Sequence, residues 1–202
     1  MVRREDGLRV FVEGGGDNSL TRGRCKQAFC TLIQRAGFAD RMPKFTACGS
    51  RQRAFEMFVT ACENGEESLL LVDSEGPVSH TSPWEHVRTR QGDGWARPKS
   101  ARDEDLHLMV ECMEAWILAD VSVLRRKYGQ RLRESALPRR RDVEMVPKVE
   151  LFAAITRATL DCEYSKGKQA FELLEAVDPK VLRECCPWAE RFFAELDRRT
   201  RS

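Results

Sequence analysis

The stretch SLLLVD at residues 68–73 limits most strongly how this chain can fold. It is apolar at four consecutive positions instead of alternating, which is typical of a strand that is covered on both faces. Residues 8–12 and 44–48 also have the composition of strands, and each is followed by a segment with helical spacing. The order β-α-β-α-β predicts an α/β fold around a mostly parallel sheet with helices packed on it.

The rest of the chain is organised around this pattern. Residues 106–110 predict a fourth strand, and residues 113–119 predict a helix directly after it. Residues 76–105 are rich in Gly, Pro, Ser and charge, so they predict a long loop or a hairpin. We therefore predict a four-stranded α/β domain over residues 1–120 and a C-terminal helical extension, packed on it, over residues 121–202.

Composition excludes several classes of protein. Of the 202 residues, 42% are hydrophobic, which is enough for a core, and a net charge of +2 identifies no partner. The eight cysteines include no C-x-x-C pair, so we expect reduced, buried thiols. No apolar segment approaches the ~20 residues that span a bilayer. We expect a cytoplasmic protein with no membrane partner.

Acidic residues follow the predicted strands at the points where the strands end. Glu13 ends the first, Asp73 ends the third with Glu75 two residues later, and Glu111 or Glu114 follows the fourth. Sites in parallel α/β sheets form at this carboxyl edge, so we expect these acids to converge. Carboxylates this close repel unless they are protonated or bound to metal, and hard oxygen ligands suit Mg²⁺ or Mn²⁺.

The turn after the first strand, GGGD, has more than one interpretation. Its glycines let a phosphate or a metal-bound water approach the backbone. Asp17 can cap the following helix or complete a metal shell. An aspartate at a strand end is often only a turn or cap residue, and triple glycine before a helix can be a plain phosphate-binding turn. The turn lacks the Walker lysine and the G-x-G-x-x-G spacing, so a nucleotide-binding module is the weakest hypothesis.

Two arginines at the start of the second helix are candidate phosphate contacts. Arg51 and Arg53 follow Ser50, which has the side chain of a helix cap. At that position they lie near the carboxyl edge, where they can meet nucleic-acid phosphates, or they can equally pair with Glu56.

The segments VEGGGD and LLLVDSEG resemble the Toprim domain, the metal-binding module of topoisomerases, primases and overcoming-lysogenization-defect nucleases. Glu13, Gly14 and Asp17 match its first motif, and Asp73 and Glu75 match its D-x-D motif with Glu in place of the second Asp. The side chain of Glu75 keeps the negative charge of an aspartate but is one methylene longer. The resemblance implies a Toprim-like Rossmannoid fold and a divalent metal site.

The later segments HLMVECMEAWILAD and YSKGKQAFELLEAVDP resemble two blocks of an uncharacterised bacterial family of small Toprim-like proteins. That family is thought to occur beside ATPase genes in phage-defence or mobile loci. The resemblance supports Glu111 and Glu114 as metal-site residues and adds Lys166 and Lys168, because a lysine near the metals stabilises the phosphate in related nucleases.

These observations predict a metal-dependent nuclease that acts on DNA or RNA. Glu13, Asp73 and Glu75 are expected to hold Mg²⁺ or Mn²⁺, while Lys166 or Lys168 offsets negative charge. Asp17, Glu111 and Glu114 are expected to supply further ligands or a general base. The alternative is a non-catalytic partner of an AAA- or ABC-type ATPase. Self-association into a homodimer is left open.

Overall fold

The computed structural model describes residues 7–139, 142–162, 164–165 and 167–201. Its sheet confirms the α/β prediction, because four parallel strands pair in the order β2-β1-β3-β4. The strands are β1 Arg9–Gly15, β2 Lys44–Gly49, β3 Ser68–Asp73 and β4 Leu106–Met109. The chain moves from β1 outward to β2 and then crosses back to β3, so its direction of winding reverses between β1 and β3.

Helices surround the sheet and make up most of the second half of the chain. They are α1 Ser19–Ile33, α2 Arg51–Glu63, α3 Pro83–Thr89, α4 Met113–Ala119, α5 Val121–Tyr128, α6 Lys148–Ala158, α7 Lys168–Ala176, α8 Pro179–Cys185 and α9 Pro187–Thr200. Between these elements lie a π-helical turn at Gln34–Phe38 and 3₁₀ turns at Ala39–Arg41, Asp103–Asp105, Gly129–Arg131, Glu134–Ala136 and Val143–Met145. Within the described ranges, none of the helices combines the length and the apolar character needed to cross a bilayer.

Side chains at the helix starts explain where the first helices begin. Asn18 caps α1, and its Oδ1 accepts a hydrogen bond from the backbone N–H of Leu20 at 2.8 Å. The idea that Asp17 is this cap is therefore wrong. Ser50 caps α2, as the sequence predicts, and Asp120 caps α5. These short polar side chains satisfy N–H groups that have no partner inside the helix.

The sheet is buried on both faces, as the continuous apolar run of β3 predicts. Val12 and Leu71 belong to one hydrophobic cluster with α1, α4 and the helices of the C-terminal half. Phe11 and Leu70 belong to a second cluster with α2 and α3. The first cluster contains residues from both sides of position 120, and the division of the chain into two parts at that position stays a prediction.

The region predicted as a long loop, residues 76–105, contains the helix α3, so that prediction was wrong for residues 83–89. Pro83 stands in the first turn, where its fixed φ suits a helix and its missing N–H costs nothing. Trp84 and Val87 are buried, and the Trp84 ring lies 6.0 Å from the ring of Phe58. Apolar packing against α2 therefore offsets the polar composition of the segment.

Helix α9 covers the sheet beside β4. The ring of Phe192 lies edge-on to His107 of β4, with 5.3 Å between their centroids. Further along α9, the guanidinium of Arg199 is only 4% exposed and bonds the carboxylates of Asp105 and Glu195. These contacts tie α9 to the start of β4 through a buried ring pair and a buried ion network.

The glycine turn after β1 brings three segments into close contact. Gly14 and Gly15 both pair with Gly49, which makes a bulge at the end of β1. Gly15 has φ +86°, and a Cβ built on it would lie 2.5 Å from the Cα of Arg22. A side chain at this position would require α1 to move away from the sheet.

We predict that Gly15→Ala lowers the free energy of unfolding by about 2 kcal/mol or more, because it combines a left-handed φ with a backbone clash. The matched control is Gly23→Ala inside α1, where a Cβ meets nothing within 4 Å. Alanine there should stabilise by about 0.5–1 kcal/mol. Urea denaturation measures both, and equal shifts in the two variants would contradict the account.

Candidate functional site

The first two acids meet where β1 and β3 end side by side. The strands run parallel, and the Oε2 atom of Glu13 accepts a hydrogen bond from the backbone N–H of Asp73 at 3.1 Å. Winding reverses between these two strands, and such a point opens a crevice at the carboxyl edge of the sheet. The parallel pairing therefore brings together residues that lie 60 positions apart in the sequence.

Glu75 completes a cluster of three carboxylates with Glu13 and Asp73. One oxygen from each lies within 4.8 Å of the others. The side chains are 19%, 16% and 26% exposed for Glu13, Asp73 and Glu75, so the cluster is mostly withdrawn from solvent. Glu75 has a φ of +61°, a conformation that is uncommon for a residue with a side chain. The turn after β3 holds this backbone shape while placing a third acid beside the first two.

Burial controls the electrostatics of the cluster. Desolvation raises the pKa of Glu13, although the nearby Arg51 guanidinium opposes the effect. Desolvation, followed by the charge of Glu13, raises the pKa of Asp73 well above its usual range. Backbone N–H groups hold the acids in place, since Met113 at the start of α4 donates to Asp73 Oδ1 at 2.9 Å. The cluster therefore favours protons or cations.

Lys148 is a basic residue beside the cluster that sequence reasoning missed. Its Nζ lies 2.7 Å from Glu75 Oε1 and 3.6 Å from Asp73 Oδ2. Burial alone lowers the pKa of Lys148, but the ion pairs with Glu75 and Asp73 outweigh it and the net pKa is raised. Lys148 is the first residue of α6, and no sequence motif marks it.

The two lysines predicted for this role lie elsewhere or cannot be placed. Lys168 is 62% exposed at the start of α7, with its Nζ 3.9 Å from Glu172. It does not reach the three acids in this structure, because its side chain follows the surface of its own helix. Lys166 lies outside the described residues. The catalytic role assigned to these lysines stays a prediction.

The three additional acids differ in their surroundings. Glu111 is buried, and its Oε2 accepts a hydrogen bond from the backbone N–H of Lys148 at 2.6 Å, so it supports the start of α6. Glu114 is also buried and accepts from the hydroxyl of Tyr164 at 3.4 Å. Asp17 is exposed beside the glycine turn. None of the three belongs to the 4.8 Å cluster of described acids, and their metal-ligand roles stay predictions.

Arg51 lies beside the cluster but is engaged within the protein. Its guanidinium donates to both oxygens of Asp93, at 2.8 and 2.6 Å, and to the backbone carbonyl of Asp73. It also lies 3.5 Å from Glu13 Oε2 and 4.7 Å from the ring centre of Trp95. Arg53, two residues later, is exposed. The contacts of Arg51 suit a counter-charge for Glu13, and contact of either arginine with nucleic acid stays a prediction.

An open cleft of about 560 Å³ gives access to the acids. The glycine turn, the three carboxylates, Glu114 and Lys148 line it. The apolar residues Met113, Phe152, Ala170 and Phe171 line it as well, and Phe171 lies close to Gly14 of the glycine turn. The cleft therefore combines acidic groups with apolar residues from α4, α6 and α7.

Comparisons with known proteins identify a family. Residues 12–197 match the sequence model of the family described as Domain of unknown function (DUF4276). The matched range includes all three clustered acids and Lys148. The searches of curated proteins and of solved structures give no match.

The raised pKa values predict how stability depends on pH in the absence of metal. The folded chain holds a proton on Asp73 at pH values where the unfolded chain has released it, so ionisation of Asp73 reduces stability as pH rises above about 4. In EDTA at pH 7.5, Asp73→Asn should be more stable than wild type by roughly 1 kcal/mol, a Tm increase of about 2–4 °C. Asparagine keeps the acceptor for Met113.

This difference in Tm should be smaller at pH 5 than at pH 7.5, because a lower pH favours the protonated form of wild-type Asp73. The matched control is Asp17→Asn, an exposed change outside the cluster, for which we expect no pH-dependent difference from wild type. Thermal unfolding followed by circular dichroism at both pH values measures the effect. If the Tm difference between Asp73→Asn and wild type is the same at both pH values, or larger at pH 5, the charge of Asp73 does not destabilise the folded protein.

Proposed function

Since the chain belongs to the DUF4276 family, whose description specifies no activity, we propose its function from the site. The proposed function is Mg²⁺- or Mn²⁺-dependent hydrolysis of phosphodiester bonds in DNA or RNA. The observation that carries it is the cluster of Glu13, Asp73 and Glu75, whose oxygens lie within 4.8 Å of one another at the carboxyl edge of two parallel strands.

The chemistry of the cluster fits a hard divalent cation. Carboxylate oxygens are the ligands that Mg²⁺ and Mn²⁺ prefer. Desolvation, followed by repulsion from the neighbouring acids, raises the pKa values of Glu13 and Asp73 in this partly buried site, and bound positive charge offsets both effects. When bound, such a cation polarises a phosphate oxygen and lowers the pKa of a water nucleophile.

The chain's own residues then have distinct tasks. Glu13, Asp73 and Glu75 hold the cation, and Lys148 offsets negative charge on the phosphate as the reaction proceeds. Glu114 and Asp17 line the same cleft and supply either further ligands or a general base. Glu111 acts as a positioning residue, because its carboxylate binds the backbone N–H of Lys148.

The resemblance to Toprim domains supports this assignment. Glu13 lies near the end of β1, and Asp73 ends β3 with Glu75 two residues later, which is the order of acids in that domain. The lysine expected near the metals is here Lys148, since its Nζ lies beside Glu75 and Asp73. We therefore propose a Toprim-type nuclease, acting in phage defence, in which α6 supplies the basic residue.

The alternative proposal is a non-catalytic partner of an ATPase that uses the acidic edge for binding. Both proposals share the same residues and differ in outcome. Tight association with an ATPase in the absence of cleavage would favour the second. Cleavage that depends on the acids would favour the first.

For the acids, we expect wild type to cleave plasmid DNA or RNA in Mn²⁺ and to lose activity in EDTA. Glu13→Gln and Asp73→Asn should each reduce the rate at least about 100-fold and should also abolish the rise in Tm that Mn²⁺ gives wild type. The control is Glu63→Gln, an exposed change at the end of α2, which should behave as wild type. Cleavage that persists in EDTA, or in both acid variants, would rule out this mechanism.

For the lysine, we expect Lys148→Met to reduce kcat by about 100-fold while Mn²⁺ still raises the Tm. Removing the ammonium also raises the pKa of Asp73 further, so the acidic limb of the pH–rate profile should move to higher pH. The matched control is Lys168→Met on α7, which should retain wild-type kinetics because Lys168 is exposed and pairs with Glu172. If Lys168→Met is the more damaging change, the assignment of Lys148 is wrong.

A further inference from the structure

Glu75 joins the acidic cluster through a backbone shape that the rest of the chain must hold in place. Its φ of +61° is uncommon for a residue with a side chain, and such a conformation persists only where the surrounding structure fixes it. The contacts of the peptide group just before Glu75 therefore decide where its carboxylate lies.

The peptide group that joins Ser74 to Glu75 is held at both ends. Its N–H, which belongs to Glu75, donates to the backbone carbonyl of Glu111 at 3.0 Å. Its carbonyl, which belongs to Ser74, accepts a hydrogen bond from Nε2 of His86 at 2.8 Å. The φ of Glu75 is the rotation between this planar group and the Cα of Glu75, so fixing the plane limits that rotation.

The histidine of this contact comes from α3, the helix inside the segment whose composition predicts a loop. His86 is buried on the inner face of α3, and Ser74 is completely buried. A carbonyl oxygen can only accept a hydrogen bond, so Nε2 of His86 carries a proton in this arrangement. Loss of the bond would remove a partner from a buried carbonyl, which is unfavourable.

The other polar groups of Ser74 are also engaged. Its backbone N–H donates to the carbonyl of Met109 at the end of β4, at 2.9 Å. Its hydroxyl donates to the carbonyl of Gly76 at 2.6 Å. These two bonds hold the N–H and the hydroxyl of Ser74, while His86 holds the carbonyl. The turn between Asp73 and Gly76 is therefore fixed from β4, from within and from α3.

We propose that His86 is a positioning residue, which fixes the peptide group before Glu75 and thereby holds the Glu75 carboxylate beside the other two acids. The inference rests on the proposed function, since it takes Glu75 as a ligand of the cation. The Nε2 of His86 is used by the turn, so His86 acts through the backbone and not on the metal or the substrate.

Partners behind metal ligands orient those ligands, and removing one commonly reduces metal affinity by about 10- to 100-fold. Here the partner acts on one ligand of three, so we expect a loss near the lower end of that range. The proposal also gives α3 a task at the site, because this helix carries the side chain that shapes the turn after β3.

Two amide substitutions separate the hydrogen bond from the imidazole ring. In His86→Gln the side-chain nitrogen lies as many bonds from the backbone as Nε2 does in histidine, so it can still donate to Ser74. In His86→Asn the nitrogen is one bond closer to the backbone and cannot reach. Both variants lose the ring. His80→Asn, an exposed change in the same segment, is the control for position.

The first measurement is made in EDTA and needs neither metal nor activity. Hydrogen exchange followed by NMR reports on the Glu75 amide, which donates to Glu111. We expect His86→Asn to accelerate this exchange at least about tenfold more than exchange in the middle of β3. His86→Gln and His80→Asn should stay within about threefold of wild type. Unchanged exchange at Glu75 in His86→Asn overturns the inference. Equal acceleration along β3, or equal effects of Asn and Gln, also overturns it.

The second measurement is Mn²⁺ binding by titration calorimetry, which separates this inference from the proposed function. His86→Asn should bind Mn²⁺ about tenfold more weakly than wild type, and His86→Gln should bind within about threefold of it. If wild type binds Mn²⁺ and His86→Asn binds it equally well, the proposed function stands and this inference fails. If wild type binds no Mn²⁺, the proposed function fails, and the exchange of the Glu75 amide still decides whether His86 holds the turn.

Discussion

Glu13 and Asp73 carry like charges, yet the parallel pairing of β1 with β3 leaves them side by side in a partly buried crevice. The repulsion between them is offset locally. The backbone N–H of Asp73 binds Glu13, and the backbone N–H of Met113 binds Asp73. Each hydrogen bond stabilises a carboxylate oxygen in place, but desolvation, followed by the charge of neighbouring acids, still raises the pKa values of Glu13 and Asp73. Binding of a further positive charge would therefore stabilise the three acids, and the chemistry proposed for the protein depends on such binding.

Two basic residues face this cluster in different ways. Arg51 is locked by both oxygens of Asp93 and packs over Trp95, so it forms a permanent part of the framework beside Glu13. Lys148 reaches Glu75 and Asp73 through a flexible four-carbon stem and a single ammonium group. Such a group can exchange one anionic partner for another. The arginine therefore suits a structural counter-charge, and the lysine suits contact with a substrate.

Sequence reasoning was accurate where the determining signals are local. The apolar run of β3 and the cap Ser50 each act within a few residues, and the strand and the helix they predict are confirmed. The convergence of Glu13, Asp73 and Glu75 also followed, because the edge of a parallel sheet is a property of topology. Lys148 was missed because its position depends on how α6 packs. The helix at residues 83–89 was missed because burial of Trp84 outweighs the polar composition around it.

The packing of α9 against β4 has a consequence for how the chain acquires its shape during synthesis. The ring of Phe192 and the guanidinium of Arg199 complete contacts with residues near β4 that leave the ribosome much earlier. Until α9 has emerged, one flank of the sheet keeps an apolar surface exposed to other macromolecules in the cell. The nascent protein therefore passes through a stage open to chaperones and to self-association, which ends only when this late segment closes over the sheet.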